Sequence, residues 1–84
     1  MSFMVVYLTK GRRAVVDSED WDKVDPYVWF AGKHGNKTYA ARKEGRNSIL
    51  LHRVIAGAKP GDKVKHIDGN TMDCRKKNLK VVKA

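Results

Sequence analysis

The seven residues Val64-Lys65-His66-Ile67-Asp68-Gly69-Asn70 restrict the fold of this chain more than any other stretch. Apolar and polar side chains alternate through the run until it meets a Gly-Asn pair, the pattern of a short strand entering a tight turn. A histidine is thereby held at the end of a strand, beside a sharply folded loop. Within that loop Asp68 is expected to cap the turn by bonding its own backbone. Asp73-Cys74-Arg75-Lys76-Lys77-Asn78 follows as a basic segment too short for a long helix, and Leu79-Lys80-Val81-Val82 alternates again as a second strand. Strand, turn and strand together bring His66 and Asn78 close.

Upstream, Phe3 to Leu8 and Arg13 to Val16 flank Thr9-Lys10-Gly11 and read as a hairpin. Asp17-Ser18-Glu19-Asp20 offers capping residues and early acids, so a short helix is expected from Ser18 to Val24, ended by Pro26. Tyr27 to Ala31 reads as a strand, Gly32 to Lys37 as an exposed turn carrying a solvated His34, Thr38 to Arg42 as the return, and Ser48 to Leu51 as a third strand. These form an antiparallel meander. Trp21, Tyr27, Trp29 and Phe30 are assigned to the core rather than to base stacking. The period then changes: Leu51, Val54 and Ile55 fall at i, i+3 and i+4 with Gly57 behind them, a one-to-two-turn helix that sets His52 and Arg53 off the apolar stripe, towards the basic side.

A chain of 84 residues supports one domain with a thin core. Its 42% hydrophobic and 32% charged residues lie in the globular range, and no apolar run approaches the ~20 residues of a membrane span. Met1 to Leu8 lacks the basic start and length of a signal peptide, so the expectation is a cytoplasmic protein without membrane contact. The single cysteine, Cys74, excludes an internal disulfide and a cysteine-rich zinc site and is read as a half-buried filler. The net charge of +9 is uneven. Residues 1–41 hold six Lys and Arg against five Asp and Glu, net +1, whereas residues 42–84 hold twelve against four, net +8. A field concentrated in this way attracts polyphosphate.

His52-Arg53, then His66-Ile67-Asp68-Gly69-Asn70, then Asp73-Cys74-Arg75-Lys76-Lys77-Asn78-Leu79, resembles the HNH homing-endonuclease family of phage genomes in order and spacing. Leu8 to Gly11, Val16-Asp17, Trp29 and Tyr39-Ala40 with Arg42 are similar to the lead-in segment of such proteins. The resemblance implies an α+β fold: a small antiparallel sheet or meander with short helices (1–50, the β-rich lead-in) and an incomplete ββα-metal half (51–84, the HNH-like core), in a single domain 1–84. It also implies a general base at His66, a loop-holding asparagine at Asn78, a fixed core position for His52 and Mg2+ or another divalent metal as cofactor. Two departures oppose cleavage. Lys65 stands where the family has a metal-ligating aspartate, and an ammonium cannot ligate a cation. The sequence given ends at Ala84, so the family's second ligand, on a helix after the second strand, is expected to be missing.

The leading expectation is therefore a nucleic-acid-binding protein on an HNH-like scaffold with impaired or absent metal-dependent cleavage and no certain cofactor. Its partner would be double-stranded DNA, in the cytoplasm of a bacterium or a phage's host. Arg42, Arg46, Arg53, Lys65, Arg75, Lys76, Lys77 and Lys80 are the expected phosphate contacts, Lys65 doubling as a point charge in place of the metal. One alternative is an active metal-dependent endonuclease using His66 and Asn78, as a homodimer in which a partner supplies a ligand, or a nickase with unusual coordination. Another is a small phage-encoded regulator that docks its basic face on an acidic protein.

Overall fold

The hairpin expected at the N-terminus forms: β1 (Phe3–Tyr7) runs antiparallel to β2 (Arg13–Asp17), with Met4 opposite Val16 and Val6 opposite Ala14. The structure is a computed structural model, and it describes residues 2–83. Between the strands, Thr9–Gly11 makes a 3₁₀ turn with Lys10 in the left-handed region at φ 61°. Thr9 Oγ1 accepts a bond of 3.0 Å from the Ala31 amide, tying this loop to the next sheet.

The helix expected from Ser18 splits into a 3₁₀ turn, Ser18–Asp20, and a four-residue α1 (Trp21–Val24). Asp17 makes no capping bond; its Oδ2 accepts the Lys76 amide at 3.0 Å, across the fold. The following strand starts later than the hydrophobic run suggests, because Tyr27 N and Trp29 Nε1 both donate to the carbonyl of Val24 and finish the helix end. β3 is Phe30–His34, β4 Lys37–Glu44 and β5 Asn47–Leu50, a consecutive meander in which the first turn is confined to Gly35-Asn36. Trp29 is buried and Phe30 and Trp21 are half-buried, but Tyr27 is 50% exposed and does not belong to the core.

α2 (Leu51–Ala56) ends where Gly57 turns left-handed at φ 67° and donates to the Val54 carbonyl, as its periodicity and glycine predict. β6 (Lys63–His66) and β7 (Leu79–Val82) then pair antiparallel, with Lys65 opposite Lys80 and His66 opposite Leu79. The result is an α+β protein of seven strands in three small antiparallel sheets, with few and short helices.

What unites the sheets is the loop between β6 and β7. Val15 N donates to Met72 O at 2.9 Å, Cys74 N donates to Val15 O at 2.8 Å, and the Thr71 hydroxyl donates to the Thr38 carbonyl. Val6, Ala14, Val16, Val24, Trp29, Ala40, Leu51, Ile55 and Cys74 share one core, so residues 1–50 supply walls for the C-terminal half rather than only preceding it. Cys74 is fully rather than half buried, and desolvation pushes its thiol up to about 12, which leaves it protonated and inert. No described helix is long and apolar enough to cross a membrane.

Candidate functional site

Asn78 holds the loop after β6 from within. Its Oδ1 accepts the Asp68 amide and its Nδ2 donates to the Asp73 carbonyl, both at 3.0 Å, while its backbone carbonyl accepts Ile67 N at 2.8 Å. Asp68 Oδ1 in turn accepts the Asn70 amide at 2.8 Å, the expected turn cap, and Asn70 Oδ1 accepts Met72 N at 3.1 Å. The backbone around His66 is thus fixed by side chains inside its own loop, and His66 and Asn78 lie on neighbouring strand ends.

The imidazole of His66 packs 4.7 Å, centroid to centroid, from that of His52, and the Tyr39 ring lies 5.2 Å from His52 and 5.9 Å from His66. His52 therefore departs from the expectation that it faces the basic side: β4 and β6 cover α2 on that flank and leave it 6% exposed. Burial, with the neighbouring His66, Arg53 and His34, lowers its pKa to about 4. His66 is also lowered, chiefly by burial; Asp68 and Asp73 pull it back up and Lys37 adds to the fall. Both rings are neutral near pH 7. Nε2 of His66 is enclosed and has no hydrogen-bond partner among the described residues.

Beside this ring is a cleft of about 270 Å³ lined by Lys37, Tyr39, Val64, Lys65, His66, Gly69 and Thr71. Strand alternation separates its two lysines. On β6 and β7 the less exposed parity is Val64, His66, Leu79 and Val81, while Lys63, Lys65, Lys80 and Val82 occupy the outer face. The cation whose charge reaches His66 is Lys37, on β4, a residue the sequence reading passed over. Nothing local marks it; only the docking of the meander against the β6–β7 loop brings it there. A larger groove of about 520 Å³, bordered by Ser48, Leu50, Arg53 and Pro60 among others, has no histidine, cysteine or carboxylate among its described lining residues.

The basic residues divide by what they already hold. The Arg42 guanidinium sits 3.9 Å from the Tyr27 ring centroid and pairs with Glu44 at 3.1 Å. Arg53 donates to the carbonyls of Asp62 and Lys59, at 2.6 and 2.9 Å. Arg75 grips both oxygens of Asp73, at 2.8 and 2.7 Å, which holds that carboxyl below its usual range. Lys76 pairs with Asp20 and Glu19. Among the described residues, Arg46, Lys65, Lys77 and Lys80, with Lys63, are exposed and make no ion pair closer than 4.0 Å.

A divalent metal does not fit this cleft. None of its lining residues is a carboxylate, both oxygens of nearby Asp73 are bonded to Arg75, and one oxygen of Asp68 is bonded to Asn70. Asp17, Glu19 and Asp20 do cluster, but away from the cleft and against Lys76 and Lys23. Comparison with known proteins finds no matching family model, no matching curated protein and no matching solved structure.

Proposed function

We propose that this protein binds nucleic acid, double-stranded DNA in the first instance, through phosphate contacts on an HNH-endonuclease-like scaffold that lacks metal-dependent cleavage. One observation supports this most: Lys65 and Lys80 stand directly opposite each other on the β6–β7 hairpin, both exposed and neither in an ion pair among the described residues, with Lys63 on the same face. Like charges in that position destabilise a strand pair. A row of phosphates relieves the repulsion and releases its own counterions. Arg46 and Lys77 are available to extend the contact, whereas Arg42, Arg53, Arg75 and Lys76 are already engaged and serve the fold first.

The resemblance of His52-Arg53, His66 to Asn70 and Asp73 to Leu79 to the HNH core supports the scaffold part of the reading, as does the strand-end setting of His66 and Asn78. The lack of a carboxylate among the described residues that line the cleft supports loss of cleavage. The test pairs a gel shift on a short duplex at low salt with a nicking assay on supercoiled plasmid in magnesium. The expected result is a complex without nicking. Efficient nicking that is lost in His66→Ala overturns the binding-only reading in favour of an endonuclease, and the absence of any complex removes DNA as the partner.

A further inference from the structure

We infer that the cleft beside His66 is a phosphate subsite that works without a metal ion, in which Lys37 supplies the charge and the imidazole presents Nδ1–H as a directed donor. It rests on the nucleic-acid reading for the source of the phosphate, but not for the chemistry. The enclosed Nε2 carries the deduction. A neutral imidazole bears one proton, and its position follows from what each nitrogen meets. With the proton on Nε2, a donor is sealed among side chains with no acceptor; with the proton on Nδ1, the sealed atom is a bare lone pair, the less unfavourable of the two arrangements. Nδ1 is the ring nitrogen left to meet a ligand. A ring that turns N–H outward is a donor to an anion and not a base towards water.

The rest of the lining agrees. Lys37 comes from the opposite wall, and no carboxylate lines the cleft to neutralise it. Thr71, whose hydroxyl proton goes to the Thr38 carbonyl, fixes the floor rather than competing for the ligand. Because His66 is uncharged near neutral pH, the attraction for phosphate comes from the lysines of the lining, and Lys37 is the one whose charge reaches the ring, Lys65 standing on the exposed parity of β6.

The experiment uses the full chain labelled with nitrogen-15. Two-bond proton–nitrogen spectra of the imidazoles report the tautomer, and titrations with inorganic phosphate and, separately, magnesium chloride follow the His66 ring in the unmodified protein and in Lys37→Met. Position 37 is exposed, so this variant is expected to fold. The expected outcome is an Nδ1–H tautomer, a phosphate-dependent shift of the His66 ring, binding weaker on the order of tenfold in Lys37→Met, and no response to magnesium. An Nε2–H tautomer, a His66 shift with magnesium rather than phosphate, or phosphate binding indifferent to Lys37→Met overturns the inference. A gel shift on duplex DNA separates the two proposals: DNA binding without a phosphate response at His66 removes the subsite alone, and a phosphate response without DNA binding keeps the subsite and points to a free phosphate compound.

Discussion

An amide at position 78 does what a carboxylate of equal size cannot, because it both accepts the Asp68 amide and donates to the Asp73 carbonyl. Asn78→Asp replaces that donor by an acceptor facing a carbonyl in a site 6% exposed. The expected loss is roughly 1–3 kcal/mol, and since each kcal/mol moves the midpoint of a domain this size by about 4–8 °C, thermal unfolding reads it directly. An unchanged Tm contradicts the role. His52 sets the second expectation. Its folded pKa, lowered from 6.5 to about 4, means that the unfolded chain takes up a proton which the folded chain refuses. The associated stability is complete above pH 6.5 and declines as the pH falls towards 4, by about 3 kcal/mol in all. His66 changes in the same direction. Tm followed from pH 7 to 4.5 should fall, and the fall should be shallower in His52→Gln; parallel curves contradict it. The nearness of His66 to Asn78 was legible, because one hairpin register sets it. The burial of His52 and the approach of Lys37 were not, because each depends on another sheet packing over the site.

Elements were legible where a period and a stop signal agree. Leu51, Val54 and Ile55 followed by Gly57 specify α2 and its end, and the structure places Gly57 in the left-handed region with nothing within 4 Å of an added Cβ. Gly57→Ala therefore meets backbone strain alone and should lower stability by about 1–2 kcal/mol, measurable by urea unfolding with an unchanged m-value. No loss there contradicts the capping role. Elsewhere a local signal was used for a distant purpose. Asp17 reads as an N-cap, yet its carboxylate bonds Lys76 N, 59 residues away. Tyr27 to Trp29 reads as strand by composition, yet the amide of Tyr27 and the indole of Trp29 close the end of α1 while the Tyr27 ring lies exposed under Arg42. Hydrophobicity marked this run as structural but could not say which element it completes.

For the whole molecule, the +8 half was visible from counting alone, but the division of labour within it was not. Arg42, Arg53 and Arg75, which look like phosphate contacts in the sequence, turn on rings, carbonyls and carboxylates, and among the described residues Arg46 and the exposed lysines of β6 and β7 make no ion pair. This lysine face is proposed to bind polyphosphate, and the salt dependence of duplex affinity reads that binding. Affinity of the unmodified protein should fall on the order of tenfold or more between 50 and 200 mM salt. The log–log slope should shrink by about 2 in Lys65→Ala/Lys80→Ala, one for each lost phosphate contact, while Arg53→Ala lowers Tm and leaves the slope unchanged. A duplex affinity insensitive to salt, or a slope that the double lysine variant does not alter, contradicts the account.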